Sequence, residues 1–470
     1  MRHSIRTAIS LAVLGLTVFA HAAAAQTPPP TTNPATPTGK NPIIVIPGIT
    51  GSELINKDTG KTAWFKRTRA KDDDVRLPMS ANLARNSDAL IAGDIIREVR
   101  IASILPEIEI YAKLIDALQT TGGYREVKWD DATKEDATDT FFVFSYDWRR
   151  DNVENARLLI ERMETLKRKI GKSDLKFNII AHSMGGLISR YAAMYGNVDI
   201  PAGKPRPSWS GARHLDKVFL VGTPNEGSLL AFDALLNGVA YIGGGIKLPF
   251  IQDLTRFDVF TVPSIFQLLP HERSMLAYDE ELKPLNIDIY DPAAWEEYDW
   301  AIWKDKDFKK KFSTSEQQNA RAYFRAAIDR ARRFQEALNA TSTAKVPVSY
   351  YLLGAECKDT PTAMILRRDE KKDRWITQFK ADSFTNSLGI KITSEMLKPI
   401  IYTPGDSVVP KRSLEAATLR ANGYESVLPI VSELYQCESH GRLVTNPEIQ
   451  QKLFGLINSA AALQNAGTQP

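Results

Sequence analysis

Six short apolar runs alternate with helix-like segments, and this alternation constrains the fold more than any other feature. Runs of Val, Ile, Leu and Phe without polar alternation suit strands that are buried on both faces, as in a parallel sheet. Helical periodicity fills residues 153–171 and 186–196. Strands that alternate with helices predict an α/β fold with a mostly parallel, doubly wound sheet. The six runs cover residues 42–48, 140–148, 176–183, 217–224, 346–357 and 425–435.

Two long segments interrupt the alternation. Residues 52–110 follow the first predicted strand, and residues 229–345, mostly helical in pattern, follow the fourth. Both are too long for loops, so we expect lid and cap insertions above the sheet edge where active sites lie. The apolar stretch 229–250 suits either a mobile, lipid-facing lid or buried cap packing. Residues 295–312 place three tryptophans beside lysines, which suits either a lipid-binding face or a solvated helix with a buried aromatic stripe.

The N-terminus has the pattern of a secretory signal peptide. The basic MRHSIR precedes an apolar segment that is shorter than the roughly 20 residues of a membrane span, and small residues follow it. We place the cleavage near Ala25, with a membrane anchor as the alternative, and expect export to the periplasm or the medium. Residues 26–40, rich in Pro and Thr, predict a disordered leader. The folded domain then spans residues 41–460, and residues 461–470 form a flexible tail.

Composition excludes several kinds of partner. The chain carries 60 basic and 56 acidic side chains, a net charge of +4, which gives no reason to expect nucleic acid. Two cysteines without clustered histidines argue against a zinc site. We therefore expect no metal, and we also expect a monomer that needs no cofactor.

The segment AHSMGGL predicts a nucleophile elbow at Ser183. Such an elbow needs a strand, a sharp turn and a helix, and the turn lifts the serine oxygen above the sheet. Small residues two positions before and after the serine let the strand and helix approach closely, and here they are Ala181 and Gly185. Glycine is more common at both positions. A chance match of a short Ser/Gly pattern is the alternative.

A serine nucleophile needs a base, and elimination selects His440. Of the other histidines, two lie in the predicted signal peptide and one adjoins the serine with its ring directed away from the front of the elbow. One more precedes a strand, and one lies in the second insertion. His440 alone follows the last apolar run, from which a loop could reach Ser183, although a surface loop histidine is the alternative. The six histidines are His3, His21, His182, His214, His271 and His440.

The remaining members of such a site are a carboxylate and two backbone N–H donors. Asp406, in YTPGDSVVP, lies on a predicted turn between the fifth run and His440, in the chain order that this type of site requires. Asp359 and Glu438 compete for the same role. One oxyanion donor should be Met184, which follows the serine, and the other should be Ile49, which follows the first strand.

The combined motifs resemble the lecithin:cholesterol acyltransferase family of α/β-hydrolases. The resemblance extends over about residues 41–455, and the insertions match in position alone. Each motif alone is weakly specific, but the combination is specific. The segments that carry it are VIPGITGSEL (45–54), FSYDWRRDN (144–152), AHSMGGL (181–187), GDSVVP (405–410) and SHGRL (439–443).

The resemblance implies an α/β-hydrolase fold and a triad of Ser183, Asp406 and His440. It implies the oxyanion pair Ile49 and Met184 as well. GDSVVP departs from the family's usual glycine-threonine version, which weakens the assignment of the acid.

Three further residues match family positions. Trp64, in KTAWF, is similar to the family's lid tryptophan near the acyl site, which implies a substrate contact. Asp147 and Arg149, in YDWR, look structural rather than catalytic, because they support the elbow from the neighbouring strand.

The implied function is that of an exported serine esterase acting on lipid acyl esters through an acyl-enzyme. Transfer of the acyl group to water would make it a lipase or phospholipase, and transfer to an alcohol would make it an O-acyltransferase. The expected partner is a lipid or ester substrate, with peripheral contact to a membrane. Two alternatives remain open: a non-catalytic lipid-binding protein on the same fold, and an amidase or peptidase with the same triad.

Cys357 and Cys437 end or follow two late strands of the predicted sheet. The carboxyl ends of such strands are neighbours in a doubly wound sheet, so we expect a disulfide that braces the loop of His440. Two free buried thiols are the alternative.

Overall fold

The computed structural model describes residues 39–66, 74–99, 108–239, 253–271, 274–340, 342, 346–418 and 428–459. The predicted signal peptide, nearly all of the predicted leader and the predicted tail lie outside these ranges, as does the glycine-rich part of 229–250 from residue 240 onward. No helix in the described part of the chain combines the length and apolarity that a membrane span requires.

Twenty strands and twelve α-helices are described. The strands are Ile43–Ile46 (β1), Ser52–Asn56 (β2), Thr62–Trp64 (β3), Leu90–Ile95 (β4), Glu98–Val99 (β5), Ile108–Glu109 (β6), Arg125–Glu126 (β7), Thr140–Val143 (β8), Phe177–His182 (β9), Leu215–Val221 (β10), Leu276–Tyr278 (β11), Pro284–Leu285 (β12), Ser349–Ala355 (β13), Lys358–Pro361 (β14), Ala363–Asp369 (β15), Arg374–Gln378 (β16), Phe384–Thr385 (β17), Lys391–Ile392 (β18), Tyr402–Gly405 (β19) and Ile430–Gln436 (β20). The α-helices are Ala112–Thr120 (α1), Asn152–Ile170 (α2), Met184–Tyr195 (α3), Leu229–Asn237 (α4), Arg256–Phe260 (α5), Pro263–Phe266 (α6), Pro292–Glu297 (α7), Phe308–Lys311 (α8), Thr314–Leu338 (α9), Ser394–Ile401 (α10), Lys411–Leu414 (α11) and Pro447–Asn458 (α12). Short 3-10 helices cover Leu83–Arg85, Lys134–Ala137, Ser210–His214, Ile302–Lys304 and His440–Thr445.

A seven-stranded sheet lies at the centre, in the order β20–β13–β10–β9–β1–β8–β7. Every neighbouring pair in it is parallel. The six apolar runs each supply one of these strands, so the predicted α/β fold with a parallel sheet is confirmed. Parallel pairing also brings all carboxyl ends of the strands to one edge, which we call the carboxyl edge.

Helices cover both faces of the sheet at its centre, which explains why β1 is apolar throughout. In β1, Ile44 and Ile46 pack into the core with residues of α2 and α3. Ile43 and Val45 face the other way and pack with residues of α1 and α12. All four side chains are essentially inaccessible to solvent. A strand with one exposed face would instead show alternating polar residues.

The first insertion is built around strands. Strands β3, β2 and β4 form an antiparallel sheet, and β5 pairs with β6. Arg149 fastens this insertion to the central domain, because its buried guanidinium donates hydrogen bonds to Asp88 and to the carbonyl of Val75. It also binds Asp147. Burial alone would lower the pKa of Arg149, but its hydrogen bonds to Asp88 and Asp147 raise that pKa above its ordinary value.

The second insertion is mainly helical, with α4 to α9 and the short strands β11 and β12. Its aromatic residues are core: Phe232 packs edge-on against Trp295 and Trp300, and all three are almost fully buried. Leu235 is buried as well. The described part of 229–250 is therefore buried cap packing, and two of the three tryptophans in 295–312 form a buried stripe.

A third excursion, which the sequence analysis did not identify, lies between β13 and Asp406. It contains β14 to β19 and α10, and its strands β15 and β16 join β11 and β12 in a four-stranded sheet. It leaves the carboxyl edge after β13 and returns through β19, which pairs with β14. Both ends of the excursion therefore lie at the carboxyl edge.

A disulfide joins Cys357, after β13, to Cys437, after β20. The two strands are neighbours in the sheet, so their carboxyl ends lie side by side. Both half-cystines are exposed.

We predict that the Cys357→Ser/Cys437→Ser variant lowers the free energy of unfolding by roughly 2–4 kcal/mol, because the bond closes a long loop in the unfolded chain. Denaturant unfolding of the variant and of wild type, each with and without reductant, measures this effect. Reduced wild type should match the variant. Two titratable thiols in the unfolded, unreduced protein would contradict the prediction.

Candidate active site

Ser183 occupies a strained turn between β9 and α3. Its backbone has φ 52° and ψ −125°, a region that non-glycine residues rarely adopt. Two glycines make the turn feasible. A Cβ on Gly185 would lie 2.6 Å from the carbonyl oxygen of Pro47, and one on Gly186 would lie 2.0 Å from Oγ1 of Thr223. Helix α3 can therefore begin directly against the ends of β1 and β10, as an elbow requires.

His440 lies between Ser183 and Asp406. Its Nε2 is 2.9 Å from Oγ of Ser183, and its Nδ1 is 2.7 Å from Oδ2 of Asp406. An ionised carboxylate can only accept, so Nδ1 carries the proton and Nε2 is free to accept the serine proton. This is the geometry of a serine–histidine–carboxylate triad.

The acid is held rigidly in the interior. Asp406 is 2% exposed, and its Oδ1 accepts hydrogen bonds from the amides of Val408 and Val409. The competing carboxylates lie elsewhere. Asp359 is exposed on β14, and Glu438 accepts from the amide and hydroxyl of Ser439. The structure therefore places Asp406 against the imidazole of His440, and it places neither Asp359 nor Glu438 there.

Two backbone amides are available near the serine. Met184 is the first residue of α3, and Ile49 lies in the turn after β1. Within the described ranges, neither amide donates a hydrogen bond to the protein. A Cβ on Gly48 would lie 2.9 Å from Cβ of Ser183, so the Ile49 loop passes directly beside the serine. The start of α3 also favours negative charge, because the helix dipole is positive there.

His182 and Tyr111 lie directly behind this arrangement, and the sequence analysis assigned neither a role. His182 makes no hydrogen bond to Ser183. Its Nδ1 is 2.8 Å from the Tyr111 hydroxyl, and its Nε2 is 3.2 Å from the carbonyl oxygen of His440. Burial, with the nearby His440, lowers the pKa of His182 to about 3. No pattern in the sequence links Tyr111 to the elbow, because 71 positions separate it from His182.

Trp64 lies in the core. The side chain has no accessible surface, its Nε1 donates to the carbonyl oxygen of Thr50, and its ring packs edge-on against Trp148. A contact between Trp64 and substrate stays a prediction.

A groove of about 940 Å³ lies away from the triad, between β4 and the β7–β8 side of the central sheet. No triad residue lines it. Several of its charged side chains pair with one another, such as Arg97 with Glu126 and Arg150 with Glu154. Across the described ranges, no group of His, Cys, Asp and Glu is placed to hold a metal ion.

Three solved structures are similar to this chain at low sequence identity. One is "The crystal structure of Tle4-Tli4 complex", with 14% identity and a TM-score of 0.49, covering 89% of this chain and 98% of that chain. The mature lipase BlEst2 of Bacillus licheniformis has 11% identity and a TM-score of 0.34, with 91% and 95% covered. Phospholipase PlaB of Legionella pneumophila has 10% identity and a TM-score of 0.26, with 89% and 63% covered.

No curated protein matches the chain. A family model does: lecithin:cholesterol acyltransferase, over residues 97–445. The match spans most of the chain and includes Ser183, Asp406 and His440. The chain therefore belongs to the lecithin:cholesterol acyltransferase family.

Proposed function

We propose that this protein is a serine hydrolase or acyltransferase that acts on lipid acyl esters through an acyl-enzyme. One observation carries the proposal: a serine on a strained elbow shares a hydrogen bond with a histidine that is itself bound to a buried carboxylate. Family membership supports a lipid-ester hydrolase or acyltransferase. The site itself indicates acyl transfer, because it pairs a nucleophile and base with two amides that can hold an oxyanion.

In the proposed reaction, Oγ of Ser183 attacks the ester carbonyl carbon while its proton passes to Nε2 of His440. The negative carbonyl oxygen of the tetrahedral intermediate accepts hydrogen bonds from the amides of Ile49 and Met184. Asp406 stabilises the imidazolium and holds its orientation. Collapse of the intermediate expels the alcohol part of the lipid, which takes the proton from His440, and leaves the acyl group on Ser183.

The second half of the reaction repeats these steps with another acceptor. Water or an alcohol gives its proton to His440 and attacks the acyl carbon, and the acid or new ester leaves as Ser183 regains its proton. The same side chains serve both acceptors, so the relative rate of hydrolysis and transfer depends on which acceptor reaches the acyl-enzyme.

An exposed apolar tip on the third excursion supports a lipid substrate. Leu388 and Ile390 are 63% and 53% exposed, and they lie in the turn between β17 and β18. Met396, in the first turn of α10, is 45% exposed. The turn is nevertheless well ordered: Asn386 accepts from the amides of Gly389 and Ile390. Rigid display of large aliphatic side chains in water suits insertion into a lipid surface.

The tip is also connected to the candidate site by a short stretch of chain. Helix α10 continues directly into β19, which ends at Gly405, next to Asp406. We propose that this tip contacts the aggregated lipid from which the substrate is drawn.

We predict that Ser183→Ala and His440→Ala lower kcat on a short chromogenic ester by roughly 10⁴-fold or more, because nucleophile and base act as a unit. Asp406→Asn should lower kcat by a similar factor, because the imidazole then lacks its anionic partner. Steady-state kinetics measure this, and circular dichroism verifies folding. Asp359→Asn is the matched control on an exposed carboxylate and should retain wild-type kcat.

Full activity in folded Ser183→Ala would refute the triad. Absence of turnover on every ester, with lipid binding retained in both wild type and Ser183→Ala, would favour the non-catalytic carrier. Faster turnover of anilides than of matched esters would favour the amidase.

We predict that Leu388→Asp/Ile390→Asp lowers activity on phosphatidylcholine vesicles by roughly tenfold or more, since burial of one leucine is worth about 1.5–3 kcal/mol. Turnover of a short soluble ester should be unchanged, because the chemistry is untouched. Val198→Asp is the control: Val198 is 55% exposed and follows α3 at the opposite edge of the sheet. Equal losses on both substrates would contradict a role in lipid contact.

We further propose that the protein is exported. The N-terminal pattern motivates this, and the exposed disulfide is compatible with an oxidising compartment. We predict that protein recovered from the periplasm or medium begins near Gln26, as N-terminal sequencing measures. A full-length chain retained in the cytoplasm would contradict export.

A further inference from the structure

We infer that Tyr111 and His182 form a positioning unit that couples the oxyanion loop after β1 to the loop that carries His440. The inference rests on the proposed function, because it assigns these two residues a role in the same reaction. Neither residue contacts the reacting serine oxygen. Both act through the backbone of other residues.

Three hydrogen bonds form a continuous chain between the two loops. The amide of Gly48 donates to the Tyr111 hydroxyl oxygen at 2.8 Å. The same hydroxyl lies 2.8 Å from Nδ1 of His182, and Nε2 of His182 lies 3.2 Å from the carbonyl oxygen of His440. These hydrogen bonds are buried, because Tyr111 is 2% exposed and His182 is 7% exposed.

The direction of every bond follows from chemistry. A carbonyl oxygen can only accept, so Nε2 of His182 must carry the ring proton. Nδ1 of a neutral ring is then an acceptor, and the Tyr111 hydroxyl must donate to it. The amide of Gly48 fills a remaining lone pair of that hydroxyl. One neutral tautomer of His182 therefore satisfies all three bonds at once.

The neutral state of His182 suits its position next to the base. The rings of His182 and His440 are 4.9 Å apart, and His440 becomes positively charged during the proposed reaction. Burial, together with the neighbouring His440, lowers the pKa of His182 to about 3. His182 therefore stays neutral in the working range and does not repel the imidazolium.

This series of hydrogen bonds ends at Gly48 and at His440, and the proposed reaction depends on the separation of the loops that carry them. Gly48 immediately precedes Ile49, the proposed oxyanion donor, so fixing the Gly48 amide fixes the next peptide. The His440 carbonyl belongs to the residue whose ring takes the serine proton. The two loops come from β1 and β20, which are not neighbours in the sheet. The Tyr111–His182 chain joins them directly.

The central experiment is Tyr111→Phe, which keeps the ring and removes the hydroxyl. The amide of Gly48 and Nδ1 of His182 then lose their partners, and the Ile49 loop gains freedom. We expect kcat on a short ester to fall roughly 10- to 100-fold with KM nearly unchanged, as for a displacement of about 1 Å in catalytic groups.

Tyr124→Phe is the matched control. Tyr124 packs in the same core cluster, and in the described part of the chain its buried hydroxyl has no hydrogen-bond partner. This variant also removes one buried tyrosine hydroxyl and should keep wild-type kcat. Equal kcat values for the two variants would overturn the coupling.

Two substitutions of His182 separate positioning from packing and remain informative if Tyr111→Phe fails to fold. His182→Gln supplies one acceptor and one donor, whereas His182→Phe supplies neither but suits apolar packing. We expect the glutamine variant to retain at least tenfold more kcat than the phenylalanine variant. If the phenylalanine variant matches the glutamine variant, His182 is packing alone and the inference fails.

Failure of the coupling is distinguishable from failure of the proposed function. If Ser183→Ala retains activity, the triad itself is wrong. If Ser183→Ala is inactive while Tyr111→Phe behaves as Tyr124→Phe does, the triad stands and the coupling alone is refuted.

Discussion

The close approach of α3 to the ends of β1 and β10 is the constraint on which the rest of the structure depends. Gly185 and Gly186 face backbone and side-chain atoms at distances that no Cβ tolerates. Because the helix starts so near the sheet, Ser183 must turn sharply, and its hydroxyl rises above the carboxyl edge. The same approach places the first amide of α3 beside the loop of Gly48. The proposed nucleophile and the proposed oxyanion donors therefore share one steric origin.

Sequence identified the parts of the molecule that are governed by local chemistry. Continuous apolar runs located six of the seven central strands, because burial on both faces leaves no room for polar residues. The seventh, β7, has only two residues and no pattern of its own. Ser183 was recognisable from its small neighbours, and His440 from its place after the last strand. The choice of Asp406 over Asp359 and Glu438 required coordinates, because all three lie near turns.

The third excursion and the Tyr111–His182 pair could not be predicted from the sequence, and the reason is physical. Five of the six strands β14 to β19 have five residues or fewer. The seven-residue β15 pairs with β11, which belongs to a different insertion. His182 looked remote from the chemistry because its partners lie 71 and 258 positions away. Long-range hydrogen bonds between single side chains leave no periodic trace. The sequence predicted the scaffold and the three side chains that the structure brings together at Ser183, but not the contacts that fix their relative positions.

The loop of His440 shows why such contacts are needed. It follows β20, an edge strand of the central sheet, and continues as a short 3-10 helix, so regular structure constrains it weakly. Four ties compensate. The amide of His440 donates to the carbonyl oxygen of Asp406, and the His440 ring binds the Asp406 carboxylate. The His440 carbonyl oxygen accepts a hydrogen bond from His182, and the nearby Cys437 is bonded to Cys357. A base at the end of an edge strand is thus held by side chains and a covalent bond, whereas Ser183 is held by its elbow. This difference makes the histidine loop the part of the site that depends most on residues outside the triad.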